Sequence, residues 1–270
     1  MRKVRGGLLT AVTWVIVLVF FFPIGWMVFT SFKSENAAAS IPPTLITPLS
    51  LDNYAAVFDR GMGAYLTNSL TASVTSTIIV LLLAIPCAYG LSVRPIKKVT
   101  DVLFFFISTR FLPVAASIIP VYFILLALGL LDNITAISWL YVAINLPIAI
   151  WMMRSFFTEV PLEIIEAAQI DGANLRTELI RVVLPIVMPG VAAVALICFI
   201  FSWNEYFLAT ILTTDTARTV PPFLASFVDG RGQFLAVLSA ASVVAVLPVV
   251  AAGWLAQKQL VRGLAMGAVK

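Results

Sequence analysis

Five side chains stand out against otherwise apolar stretches of this 270-residue sequence: Arg110, Asn145, Trp203, Asn204 and Glu205. Guanidinium, amide and carboxylate groups donate to and accept from hydroxyls, the chemistry of holding a hydroxyl-bearing solute without altering it. Trp203 adds an aromatic face on which a solute can stack. The competing roles are structural: interhelical hydrogen bonds, a snorkelling Arg110, and an interfacial anchor at Trp203. Glu205 is also the candidate acidic partner for Arg110, should their segments meet. Bond-making chemistry has little to work with. Histidine is absent, which removes the commonest general base and metal ligand. Cys87 and Cys198 lie inside apolar runs without C-x-x-C spacing and read as small buried hydrophobes. With no nucleophile–base motif, no residue is assigned a catalytic or metal-binding role.

The surroundings of these residues are lipid-like. Apolar residues make up 61% of the chain and charged residues 11%, against about 45–50% and 25% in soluble domains. Seventeen basic and thirteen acidic side chains cannot cover a soluble surface of this size. The composition predicts a polytopic membrane protein in contact with lipid. The net charge of +4 is dispersed between apolar segments, which argues against nucleic acid and for topology.

Six stretches are long enough to cross about 30 Å of hydrocarbon as helices: residues 8–32, 66–93, 99–120, 134–156, 186–209 and 233–257. The runs are continuous and do not alternate, which excludes a β-barrel. The fold expected is therefore all-α, a single domain over 1–270 with six transmembrane helices. Pro23, Pro86, Pro113, Pro120, Pro147 and Pro248 lie in or beside these runs and imply kinks. Twelve Lys and Arg flank one side of the spans: Arg2, Lys3, Arg5, Arg94, Lys97, Lys98, Arg154, Arg176, Arg181, Lys258, Arg262 and Lys270. Only Lys33, Arg60, Arg218 and Arg231 flank the other. That bias places both termini in the cytoplasm of a multi-pass protein. The first run is too long for a signal-peptide core and is read as a span. Beyond it, Pro42, Pro43 and Pro48 favour an extended path through 33–63.

The loop at 157–185, between spans four and five, is the most informative segment. Pro161 suits a first helical position, and Glu163 complements the dipole of the helix that follows. Gly172 after Asp171 marks a stop or bend, and Asn174 can cap a second short helix. The first helix is expected to expose Ala167 and Ala168 beside Leu162 and Ile165, a shape that fits a groove on another protein. From spacing alone, an amphipathic helix lying on the membrane surface is the simpler account.

The string Glu166-Ala167-Ala168, then Asp171-Gly172-Ala173 and Leu184-Pro185, resembles the EAA loop of ATP-binding cassette importer permeases. Phe201-x-Trp203-Asn204-Glu205, Leu51-Asp52-Asn53-Tyr54 and the ending Gly263-Leu264-x-x-Gly267-Ala268-Val269-Lys270 extend the likeness over nearly the whole chain. Together they resemble the smaller six-span partner of maltose-type permeases, a type I importer fold. Arg176 and Leu179 depart from it, standing where much of that family carries an aromatic residue and phenylalanine. The stretch Gln257–Gly263 is most similar to permeases for sugar alcohols such as mannitol and sorbitol.

The resemblance implies a bacterial cytoplasmic (inner) membrane permease that docks two ATP-binding cassette ATPase subunits through Glu166, Ala167, Ala168, Asp171, Gly172 and Ala173. It also implies a companion permease, an extracytoplasmic solute-binding protein, and a cytoplasmic tail over 258–270 whose Gly263, Gly267 and Lys270 touch the ATPases. The chain holds no Gly-Lys dipeptide, hence no phosphate-binding loop. ATP and Mg are accordingly expected on the partner subunits, with no cofactor here and no enzymatic activity. The alternative is an ion-coupled secondary transporter, but residues 1–130 and 131–270 show no convincing repeat. An intramembrane enzyme has little support.

Overall fold

In the computed structural model, residues 2–93, 97–111, 114–228 and 234–267 are described, with side chains from 9 to 259 and at 261. All regular structure among them is helical. In chain order the helices are α1 (Arg2–Thr30), α2 (Glu35–Ala38), α3 (Asp52–Asp59), α4 (Met62–Val93), α5 (Val99–Thr109), α6 (Val114–Ala127) and α7 (Ile134–Thr158). They continue as α8 (Leu162–Ile170), α9 (Leu175–Thr177), a π-helix over Glu178–Val183, α10 (Leu184–Ile186) and α11 (Met188–Trp203). Then come α12 (Phe207–Leu212), α13 (Val220–Ala225) and α14 (Leu235–Gly267). Among the described residues four of these are long and apolar enough to cross a membrane, or up to six if each of two bent pairs, Val99–Thr109 with Val114–Ala127 and Leu175–Ile186 with Met188–Trp203, is one span. The prolines at 23, 86, 120, 147 and 248 all lie inside helices, as they can where neighbours or water take up the freed carbonyls.

The chain divides into two compact units. The first comprises residues 1–64 and 223–247. Its α1 presents Phe20, Phe21 and Phe22 outward at 74%, 62% and 65% exposure, an arrangement that suits lipid and not water. After α1 the chain folds back on itself. Lys33 is buried, donates from Nζ to the Thr44 carbonyl at 2.7 Å, and lies 4.5 Å and 4.4 Å from the ring centres of Trp26 and Phe29. Cation–π attraction is strongest in such desolvated places. Asn53 Nδ2 donates to the carbonyls of Ser31 and Lys33. Glu35 accepts from Ala236 N and Val237 N, both at 2.9 Å, so an acid satisfies free donors in the first turn of α14. The extended path expected for 33–63 is therefore limited to the stretch between α2 and α3, because these polar anchors fold the rest.

The second unit comprises residues 65–222 and 248–270. Packing of α7 against α11 and α5 centres it. At the end nearest α8, Tyr89, Met153, Phe157, Ile165, Val183 and Val187 form one buried cluster. At the other end, Ala72, Ile137, Tyr141, Leu208 and Leu212 form a second. Between them, Asn145 Nδ2 donates to Ser202 Oγ at 3.0 Å, and Ser202 Oγ lies 3.0 Å from Ser76 Oγ. Three spans are thus tied by polar groups in an apolar core, each such bond contributing about 0.6 kcal/mol.

Candidate functional site

Helix α8 begins at Leu162, with Pro161 at its N-cap and extended (φ −59°, ψ 134°). Proline stands one residue earlier than expected, because an N-cap needs no helical backbone. Ile165 and Ala168 pack inward at 3% and 9% exposure, while Leu162, Glu166, Ala167 and Ile170 face out. The expected exposure of Ala168 and Ile165 is thus corrected: the own core claims them, and the free face is Leu162–Glu166–Ala167–Ile170. Asp171 caps the C-terminus, and Gly172 follows at φ +83°, the left-handed conformation that ends helices and favours glycine. Ala173 N donates back to the Ala168 carbonyl at 2.9 Å. Asn174 Oδ1 accepts from Thr177 N at 2.9 Å, so it caps α9.

Sequence reasoning passed over Glu178. It is 1% exposed, accepts from the Tyr89 hydroxyl through Oε1, and accepts from Gln169 Nε2 at 2.9 Å through Oε2. The available signal was an acid next to the apolar pair Leu179 and Ile180, short of Arg181.

The fifth crossing is interrupted. Helix α11 stops at Trp203, residues 204–206 leave the helix, and α12 resumes at Phe207. The Glu205 carboxylate accepts from Leu208 N at 2.9 Å and Ala209 N at 3.1 Å. It thereby caps α12, satisfying donors that lipid could not. Arg110 ends α5 and donates from Nη1 to the Ile144 carbonyl at 2.5 Å. Its guanidinium carbon lies 5.1 Å from the ring centre of Phe201. Pro147 supplies no N–H to α7, which opens the helix near that carbonyl. Arg110 and Glu205 therefore hold other partners, and the pairing expected from sequence gives way to a carbonyl contact and a helix cap.

Of the other solute-path candidates, Asn204 is exposed, whereas Asn145 is 0% and Trp203 4% exposed. Trp203 stacks on Phe199 at 5.7 Å, so its ring meets protein. The Oδ1 atom of Asn145 is buried without a partner. Tyr206, 47% exposed, points outward here, as do Phe201 at 42% and Phe207 at 37%.

One short turn links several of these elements. Asp132, at φ +53° between α6 and α7, accepts backbone N–H bonds from Thr214, Asp215, Thr216 and Ala217, and a bond from the Thr216 hydroxyl. Partial burial alone raises its carboxyl, but the bonds from Thr214, Ala217 and Thr216 outweigh it and hold the group well below the usual carboxylate range. Asn68 Nδ2 donates to the carbonyls of Thr216 and Arg218, and Ser69 Oγ accepts from Val220 N.

Beyond the expected last span, α14 continues unbroken to Gly267. The segment expected as a separate tail is thus helical over 258–267, carrying Gly263 and Gly267, while Lys270 lies outside the described residues.

The sequence profile described as "Binding-protein-dependent transport system inner membrane component" matches residues 61–265. A probable ABC transporter permease protein, y4oR of Sinorhizobium fredii, is 35% identical over 270 residues, covering 100% of this chain and 97% of the relative. The trehalose/maltose transport system permease protein MalG of Thermococcus litoralis is 31% identical, covering 94% and 92%. Among solved structures, a chain of a bacterial ABC transporter involved in importing the acidic polysaccharide alginate superposes with a TM-score of 0.75. It is 25% identical, with 96% of this chain and 97% of that chain covered.

Proposed function

Because the chain belongs to the family of inner-membrane components of binding-protein-dependent transport systems, we propose that it forms part of the solute path of an ATP-driven carbohydrate importer and takes up ATPase motion through α8. It is a permease subunit and not an enzyme; ATP hydrolysis resides in separate subunits. The ion-coupled alternative loses its support to this membership.

The observation that carries the coupling role is the free face of α8. Leu162, Glu166, Ala167 and Ile170 project outward, while Ile165 and Ala168 lock the same helix into the buried cluster of the second unit. A helix held rigidly on one side and bare on the other is suited to pass on a push. The left-handed Gly172 fixes its end. Two ATP-binding cassette subunits, a companion permease and an extracytoplasmic binding protein complete the assembly. The basic flanks favour cytoplasmic termini, and Gly263, Gly267 and Lys270 are the tail residues assigned to contact with the ATPases.

The solute path is read at the break in span five. Irregular backbone at membrane depth is tolerated where it is buried in protein or lines a wet cavity. Asn204 and Tyr206 are exposed beside it, Glu205 holds its shape, and Arg110 lies against Phe201 on the same face of α11. Asn145 and Trp203 support this region from behind. Carbohydrate is the class favoured by relatives whose names carry trehalose, maltose and alginate. The stretch Gln257–Gly263 inclines toward sugar alcohols. Purification of the complex and ATP-dependent uptake of labelled mannitol, sorbitol, maltose and trehalose test the assignment.

A further inference from the structure

We propose that Glu178 is a positioning residue for transport: a buried carboxylate strut that carries displacement of α8 into span two. The inference rests on the reading of α8 as the ATPase-coupling helix and assigns the next step inside the chain.

Each oxygen of Glu178 is committed to a different element. Oε2 accepts from Gln169, the penultimate residue of α8, at 2.9 Å. Oε1 accepts from the hydroxyl of Tyr89, near the end of α4. Glu178 is 1% exposed and Tyr89 2%, so water does not compete for the bond to Tyr89, while Gln169 at the other end of the strut is exposed. Tyr89 packs edge-on against Phe157, at the end of α7, with ring centres 5.4 Å apart. One side chain therefore joins the coupling helix directly to span two, and through Tyr89 abuts span four. Bonds to an ionic acceptor are short and directional, and directional bonds resist shear in a way that apolar contact does not.

The backbone supports this placement. Glu178 opens a π-helix, and both Glu178 and Val183 are buried, at 1% and 0%. In an α-helix, residues five apart lie about 140° from each other around the axis, so one of the two would face away. The i to i+5 geometry brings them onto one face, and π segments inside helices gather at functional sites. The wider turn thus places a carboxylate in the interior without turning Val183 out of the core.

Glutamine at 178 leaves both connections possible, because a tyrosine hydroxyl can accept and the Gln169 amide can turn its oxygen inward, whereas methionine accepts from neither. Glu178→Met therefore breaks both connections. The triple change Glu178→Met/Tyr89→Phe/Gln169→Met removes every polar member together, and such apolar replacement of buried networks is often neutral for stability. A purely structural role is satisfied by the triple variant. A strut is not.

The test uses the whole complex, with ATPases, companion permease and binding protein, in lipid nanodiscs. Cys87 and Cys198 are replaced by alanine, and an environment-sensitive fluorophore is placed at Ile164→Cys on α8, outside the docking face, or at Leu82→Cys on α4. Both positions are exposed. Mg–ATP with vanadate traps the ATPases. With native Glu178, both labels respond. In Glu178→Met and in the triple variant, the label at 164 still responds, while the response at 82 falls at least about 5-fold, the lower bound of ordinary coupling. A full response at 82 in Glu178→Met, or its restoration in the triple variant, overturns the strut. No response at 164 with native Glu178 overturns instead the docking reading on which the strut rests.

Discussion

A Cβ atom on Gly190 would lie 2.3 Å from Cγ of Phe156. The backbone of α11 therefore passes against an aromatic ring of α7 with no room for even a methyl group. The atom met is the root of the ring and not its mobile edge, so relief needs a change of the Phe156 rotamer or movement of a helix. Gly190→Ala is expected to destabilise the protein by about 1–3 kcal/mol, the usual cost of overpacking. Gly90, in α4, has nothing within 4 Å of such an atom, and Gly90→Ala is expected to be neutral or slightly stabilising. Thermal unfolding of the purified complex compares the two. Adding Phe156→Ala to Gly190→Ala should recover part of the loss, a non-additivity that identifies the contact.

The second expectation concerns pH. The Asp132 carboxyl is held below its usual range, so its charged form is favoured by folding. The stabilisation is then complete above the unfolded value, near pH 4, and fades as pH falls from there toward the lower native value. Asp132→Asn should lower the midpoint of thermal unfolding at pH 7. The gap from the native protein should narrow progressively below about pH 4, where the aspartate of the unfolded chain protonates. A gap that is constant across this range assigns the loss to geometry and not to charge.

The coupling loop yields the third. Glu166→Lys reverses a charge on the free face of α8 and should abolish uptake while membrane insertion remains. Gly172→Pro cannot reach φ +83°, since proline holds φ near −65°, and should do the same through the backbone. Gly172→Ala, strained by about 1–2 kcal/mol in the left-handed region, should be milder. Membrane fractionation with uptake assays separates insertion from transport.

A fourth follows from the break in span five. Glu205→Ala removes the cap of α12 and should cost about 0.5–2 kcal/mol, whereas Asn204→Ala should leave stability intact and change preference among solutes. Arg110→Ala and Glu205→Ala are expected to be additive, because each residue holds a different partner. A double variant that loses markedly less than the sum would place the two in direct contact during transport.

Much of this protein is legible in its residues, for physical reasons. Apolar runs of span length announce the helices whatever their neighbours do. Gly172 and Asn174 are legible because left-handed ends and caps depend on local chemistry, and the structure holds both in those roles. What could not be read depends on contacts between distant segments. Arg110 and Glu205 looked like partners because charges in apolar runs demand compensation, yet backbone groups provide it for both. Ala168 looked free because periodicity alone cannot say which small residue the core will claim. Glu178 was hidden because its partners lie nine and eighty-nine residues away, and its inward direction needs a π-turn that no local pattern reveals.

The central claim is that this chain conducts solute only when partner ATPases drive it through α8. The direct measurement is uptake of labelled mannitol, sorbitol, maltose and trehalose into proteoliposomes holding the complete complex, with ATP enclosed or omitted, and with proton and sodium gradients imposed or collapsed. Uptake should need ATP hydrolysis and binding protein, ignore the ion gradients, and vanish in Glu166→Lys. Uptake that persists without ATP and follows an ion gradient would contradict the claim.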